Sequence, residues 1–224
     1  MRTVGVLLAG GASRRMGRAK ALAAERGQSF VAHGVRHLWR ECHTVVIVLG
    51  AEATAIRNGI EREFIRLLSQ KGFGAELQQA HGHDENAFEV EFVVNRAWRR
   101  GMLSSVRVGL EAALQRRPGM VLVLPVDHPS IHAATVTGIA TVLGQALAAC
   151  RTKAVRTRFS YAVVPRYRGR RGHPVGLSPA LARAVVADRE ATDLSDAIRR
   201  AARLVGYLDV NDPGVVRNRN RPGD

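Results

Sequence analysis

The chain has 224 residues, 46% of them hydrophobic, enough for one large domain or two small ones with a sizeable core. No apolar run approaches the roughly 20 residues of a membrane span. Cys42 and Cys150 stand alone, which excludes a disulfide framework or a C-x-x-C centre and makes a reducing cytoplasm the expected location. The net charge of +15, nearly all from Arg, favours anionic ligands; with 5% aromatics and no helix-turn-helix, zinc-finger or RNA-recognition pattern, no specific nucleic-acid binding is expected.

Thr3–Leu8 is short, apolar and rich in β-branched residues, the pattern of a parallel strand buried on both faces. The chain then turns small and polar. Gly10 and Gly11 are expected to take left-handed angles and let the backbone approach a ligand, with successive N–H groups forming an anion-binding nest. Arg14, Arg15, Arg18 and Lys20 follow, so the loop reads as a polyphosphate holder. It is not a Walker A loop, since Gly17 precedes Arg18 and Lys20 precedes Ala21. Nor is it a dinucleotide fingerprint, since Gly10 and Gly11 are adjacent.

Residues 28–41 have helical spacing, Thr44–Leu49 is a second buried strand closed by Gly50, and 52–69 is a second helix. Residues 70–89 break the rhythm. His81, His83, Asp84 and Glu85 gather there, but without periodicity the stretch reads as a solvated loop and not a metal centre. Glu89–Val94 is the third strand, with Asn95 at its carboxyl end and a helix headed by Ser104 and Ser105 after Gly101. That arrangement suits nucleotide contacts at a topological switch point; N-capping serines and a core Trp98 are the plainer alternative. Residues 120–126 form the fourth strand and deliver Asp127 to its end. A carboxylate there is costly unless solvated, holding a cation, or capping a helix that starts near Ile131.

Residues 131–149 continue as a helix and 160–165 as a fifth strand. A glycine turn at 169–177 carries Arg170, Arg171 and His173. Helices from Ser178 and over 193–203 and a strand at 204–210 follow. Strands alternating with helices predict an α/β fold: three α/β/α layers around a mostly parallel, Rossmann-like sheet, with the ligand cleft at the strands' carboxyl ends.

Separated segments, in one order, resemble the MobA-like NTP transferases, nucleotidyltransferases of the molybdenum cofactor cytidylyltransferase and guanylyltransferase type. The pattern L-x-A-G-G-x-S-x-R-M-G-x-x-K is carried by Ala9, Gly10, Gly11, Ser13, Arg15, Met16, Gly17 and Lys20. N-x-x-W-x-x-G-M-x-x-S is carried by Asn95, Trp98, Gly101, Met102 and Ser105. Asp127 and Pro129 match D-x-P, residues 172–175 match G-H-P-V, and residues 211–220 match N-D-P-G-x-x-x-N-x-N. Arg96 stands where Pro is frequent, Arg219 replaces an apolar residue, Arg221 a Thr and Gly223 a Glu.

The resemblance implies a nucleotide-diphospho-sugar transferase-like fold over a single domain, 1–224, with 70–89 a loop insertion. It implies Mg²⁺-dependent transfer of a nucleoside monophosphate from CTP or GTP to a phosphorylated acceptor, foremost molybdopterin, with release of pyrophosphate. A molybdoenzyme client would be a partner. By the same resemblance Leu8, Ala9, Gly10, Gly11, Ser13, Arg15, Lys20, Asn95, Ser104 and Ser105 bind the nucleotide. Arg15, Lys20 and Asp127 carry the chemistry, Asp127 with Asn218 or Asn220 holds the metal, and Arg171 and His173 meet the acceptor. The G-M-L-S-S and G-H-P-V segments lean toward cytidylyltransferases and the Ala-Gly-Gly toward guanylyltransferases, so the base stays open. A sugar-phosphate nucleotidyltransferase and a non-catalytic accessory or nucleic-acid-binding protein stand as rivals.

Overall fold

The computed structural model of the chain describes residues 1–11, 19–68, 88–150 and 152–219. In chain order its elements are β1 (Thr3–Leu8), a 3-10 turn (Lys20–Leu22), β2 (Ala24–Glu25), β3 (Gln28–Ser29), α1 (Phe30–Leu38), β4 (Thr44–Leu49), α2 (Ala53–Leu68) and β5 (Glu89–Val94). A second 3-10 turn (Trp98–Arg100), α3 (Met102–Gln115), β6 (Met120–Pro125), α4 (Ala133–Ala148), α5 (Lys153–Arg158) and β7 (Tyr161–Tyr167) follow. The chain closes with β8 (Arg170–Arg171), β9 (Val175–Leu177), α6 (Pro179–Ala187), α7 (Leu194–Ala201), β10 (Leu204–Asp209) and a last 3-10 turn (Pro213–Val215).

The main sheet runs β10-β7-β9-β6-β1-β4-β5, with β8 pairing β7 at the side. β1, β4 and β6 bury every residue, as their unbroken apolar runs predict for central parallel strands. Side chains alternate across the sheet and divide the core in two. Leu7, Ile47, Leu122 and Leu124 pack against α1, α2 and α4 on one face. Val6, Leu8, Val48 and Val123 pack against α3, α6 and α7 on the other. Burying each such side chain contributes about 1.5–3 kcal/mol, so the three expected layers are the way this pattern stays dry.

Three details depart from the sequence reading. The first helix begins at Phe30 and not residue 28, because Gln28 and Ser29 pair with Ala24 and Glu25 in a hairpin and Ser29 then caps α1 from the Ala32 N–H. The glycine turn at 169–177 contains β9, which runs antiparallel between β6 and β7. The helix expected from residue 131 starts at Ala133, and Asp127 is not its cap. Asp212 does that work, accepting from the His132 N–H at 2.8 Å and the Thr135 hydroxyl at 2.7 Å. The cluster of His81, His83, Asp84 and Glu85 lies outside the described residues. Among the described residues no helix is long and apolar enough to cross a membrane.

Candidate active site

The carboxyl ends of β1, β4 and β6 are knitted together by main-chain bonds. The Ala9 N–H donates to the Val48 carbonyl at 2.9 Å, and the Val126 N–H to the Leu8 carbonyl at 3.0 Å. Gly10 follows at close quarters. A Cβ on Gly50 would fall 2.3 Å from the Gly10 carbonyl oxygen and 2.8 Å from Trp98 Cβ, so only glycine fits. A Cβ on Gly10 would lie 3.2 Å from Ser105 Oγ. Neither Gly10 nor Gly11 has a positive φ, contrary to the expectation of left-handed angles. Gly10 is small because neighbouring segments crowd it; Gly11 would meet nothing within 4 Å among the described residues. Ser13 and Arg15 lie outside the described residues.

Asn95, at the end of β5, is buried and fully engaged. Its Nδ2 donates to Ser104 Oγ at 2.8 Å and Ser105 Oγ at 2.9 Å, while its Oδ1 accepts from the Ala97 N–H at 2.9 Å. The serines are therefore not helix caps. Gly101 precedes α3 with φ 98, and Ser104 Oγ lies 2.7 Å from the Gly101 carbonyl that it bonds. Trp98 is half-buried and carries the Arg99 guanidinium 4.5 Å above its ring, so it is a rim residue and not a core one.

Asp127 stands just past β6, mostly shielded, with Lys20 Nζ 3.4 Å from its Oδ2 and His128 Nε2 3.8 Å from its Oδ1. The His128 ring is buried; its Nδ1 lies 3.1 Å from the Gly214 carbonyl and its centroid 5.1 Å from that of His173. His173 is bound to the last turn through its N–H, 2.9 Å from the Val215 carbonyl. Its Nδ1 is enclosed with no hydrogen-bond partner among the described residues. Burial, and then the neighbouring His128, push the His173 pKa down to about 4 against a weaker pull from Asp127, so the ring is neutral at ordinary pH. Arg171 is exposed on β8, its guanidinium 5.4 Å over the Tyr207 ring. From beneath, the His37 ring lies 2.8 Å from the Pro129 carbonyl, and burial holds its pKa below the usual histidine value.

The tail arrives alongside. The Arg219 N–H donates to the Asp127 carbonyl at 2.8 Å, which places Asn218, exposed, one residue from that contact; Asn220 lies outside the described residues. Among the described residues no group of three or more His, Cys, Asp or Glu is placed to hold a metal. The donor chemistry still suits Mg²⁺, which takes one or two protein oxygens and completes its shell with water and substrate phosphate. Asp127 is one hard oxygen donor at the strand end, already facing a cation in Lys20.

Sequence reasoning missed Gly50, Glu25 and Asp212 as organisers of this region, whereas His128, which it took to pack under the loop and not to be a ligand, is buried there. Gly50 was readable as glycine at a strand end. Asp212 sat in a recognisable N-D-P-G segment. Glu25 carried no signal, because its partners are distant in the chain.

A mostly parallel sheet with a glycine loop after its first strand and a carboxylate at the end of β6 defines a nucleotidyltransferase-type α/β fold. The sequence matches the MobA-like NTP transferase domain over residues 5–205, and the chain belongs to that family. A curated relative, nicotine blue oxidoreductase of Paenarthrobacter nicotinovorans, is 34% identical over 215 residues, covering 93% of this chain and 87% of the relative. Among solved structures, Rv0371c of Mycobacterium tuberculosis superposes with a TM-score of 0.64 at 20% identity, covering 94% of this chain and 89% of that one. A nucleotidyl transferase of Methanothermobacter thermautotroptrophicus gives 0.62 at 17%, with 98% and 92% covered. Molybdopterin-guanine dinucleotide biosynthesis protein A of Archaeoglobus fulgidus gives 0.59 at 16%, with 98% and 90% covered. At these identities the structures establish the nucleotide-diphospho-sugar transferase fold.

Proposed function

We propose that the chain, as a single domain, transfers a nucleoside monophosphate from CTP or GTP to the phosphate of molybdopterin, releasing pyrophosphate. The observation that carries this reading is the meeting of Lys20 and Asp127, 107 residues apart in sequence and 3.4 Å apart in space, where β1 and β6 end together. A cation from the glycine loop facing a carboxylate at the end of β6 is the arrangement phosphoryl chemistry needs, because positioning and charge stabilisation dominate that reaction.

An acceptor phosphate oxygen attacks the α-phosphorus, and the bond to the pyrophosphate oxygen breaks. Lys20, with Arg15, stabilises charge on the α-phosphate and the leaving pyrophosphate. The N–H groups of the Gly10–Gly11 turn, following Leu8 and Ala9, hold phosphate oxygens with the Ser13 hydroxyl. Ser104 and Ser105 line the nucleotide side, oriented by Asn95, whose own amide is fully spent on them. Asp127 with Asn218 or Asn220 would hold Mg²⁺, which when bound neutralises phosphate charge and polarises the phosphorus. Arg171 and His173 serve the acceptor, His173 as a neutral hydrogen-bonding ring and not as a cation. A cytoplasmic molybdoenzyme would take the product. Rv0371c of Mycobacterium tuberculosis, a protein of this fold also crystallised in complex with manganese, supports divalent-metal use, at 19% identity and a TM-score of 0.61.

The test is pyrophosphate release over the four NTPs with Mg²⁺, with molybdopterin, with hexose 1-phosphates and with neither. Release that needs molybdopterin and CTP or GTP is expected; release with a hexose 1-phosphate alone moves the chain to the sugar-phosphate rival. The 34% identity to nicotine blue oxidoreductase supports a second reading, redox turnover of that dye. Turnover of nicotine blue with an added two-electron donor such as a reduced nicotinamide, which is oxidised in step with it, and without any pyrophosphate release would favour it.

A further inference from the structure

Three segments of chain meet on one carboxylate beside the candidate site. Glu25 ends β2, five residues after Lys20. Its Oε1 accepts from Arg219 Nη2 at 3.2 Å and from the Ser130 hydroxyl at 3.2 Å. Ser130 belongs to the loop that follows Asp127, and Arg219 to the tail, whose N–H reaches the Asp127 carbonyl at 2.8 Å. The Glu25 main chain is itself pinned, its carbonyl 2.8 Å from the His33 ring on α1.

The ion pair is well shielded. The side chains of Arg219 and Glu25 are 24% and 20% exposed, and Arg219 Nε is enclosed with no partner among the described residues. A guanidinium in that position has lost much of its hydration, so its only compensation among the described residues is the Glu25 carboxylate. Surface ion pairs contribute little. A shielded one whose partner is removed leaves an uncompensated charge, and the cheapest relief is for the tail to let go.

We infer that Glu25 is a positioning residue for the proposed transfer. It acts through Arg219 to hold the tail, with Asn218, against Asp127. The inference rests on the nucleotidyltransferase reading for its consequence in turnover, though the clasp itself is a matter of geometry. Glu25 is one step removed from the reacting atoms: it sets where the tail lies, and the tail sets what faces Asp127. Arg219 brings a cation to the tail, and that cation faces a carboxylate 194 residues earlier.

The experiment compares wild type, Glu25→Gln, Arg219→Leu and the double variant in full-length protein. Two readouts are used: NMR hydrogen exchange of the Arg219 amide, and the Mg²⁺ concentration for half-maximal pyrophosphate release. Glu25→Gln should speed exchange of that amide at least tenfold and raise the Mg²⁺ requirement about tenfold, with the NTP KM at saturating Mg²⁺ within twofold of wild type. The double variant, which removes the stranded cation as well, should recover most of both. Unchanged exchange in Glu25→Gln overturns the clasp. A changed exchange with an unchanged Mg²⁺ requirement in an active enzyme overturns the positioning role. If wild-type protein releases no pyrophosphate from any NTP, the transfer reading fails and the positioning role falls with it, while the exchange data still decide whether Glu25 holds the tail.

Discussion

On the β1–β4–β5 side of the cleft, backbone meets backbone. The Gly50 and Gly10 main chains touch with no room for a Cβ, and Asn95 organises two serines 9 and 10 residues further on. On the β6–β9 side, distant side chains and carbonyls do the same work. Asp212 reaches Thr135 across 77 residues, Gly214 reaches His128 across 86, and Arg219 reaches Glu25 across 194. The first side joins segments within about 50 residues of one another and is built from residues whose shape is the message; the second joins segments 77 to 194 residues apart through side chains. The β1–β4–β5 side should therefore be rigid and sensitive to volume, and the β6–β9 side sensitive to charge.

Four substitutions break or sharpen that contrast. Asp127→Asn keeps the shape and removes the charge; turnover should fall about 100- to 1,000-fold, measured by pyrophosphate release across a Mg²⁺ titration. Near wild-type rates at low Mg²⁺ would take Asp127 out of the mechanism. Lys20→Ala should cost roughly 2–4 kcal/mol of transition-state stabilisation, more than tenfold in kcat/KM, with circular dichroism unchanged. Gly50→Ala tests the other side. The new methyl group must displace the Gly10 carbonyl or Trp98, which should lower stability by about 1–3 kcal/mol in a urea titration. If its denaturation midpoint matches wild type, the backbone contact is looser than described.

The smallest effect is a pH slope. Folding lowers the His173 pKa from the ordinary 6.5 to about 4, so as pH falls the unfolded chain takes up the proton first. The contribution is complete above pH 6.5 and drains between 6.5 and 4. From pH 7 to 5.5 the loss should be about 1 kcal/mol. His37, also held below its usual value, adds a slope of the same sign. His173→Gln should flatten the curve in part; an identical curve would mean that the ring is hydrated in the folded state.

The same contrast decides what could be read before folding. β1, β4 and β6 were plain because a strand buried on both faces must be apolar throughout, and Asp127 stood out as the charge that follows such a run, its role resting partly on the family resemblance. Gly10 was found for a partly wrong reason: its need is for closeness, not for an unusual φ. Antiparallel β9 was invisible, since three residues, Val175–Leu177, carry no periodicity. Asp127 kept a helix-cap alternative in the sequence because the true cap, Asp212, sits 80 residues beyond the His132 amide it serves. Glu25 had no pattern at all, being one acidic residue in a turn.

Among the described strands, β9 is the sole link between the two halves of the sheet. Val121–Val123 pair with it on one edge and Ala162–Val163 on the other. A chain emerging from synthesis therefore has β1, β4, β5 and β6 in hand before the strand that recruits β7 and β10 exists. The β1–β6 half of the sheet is assembled first and the β7–β10 half is seamed on last, through three residues that must find a slot between strands already formed. The seam is also where the molecule should part. Under mild denaturant the β7–β10 edge would open as a unit while β1 stays protected, so the half of the sheet that carries Asp127 would outlast the half beyond β9.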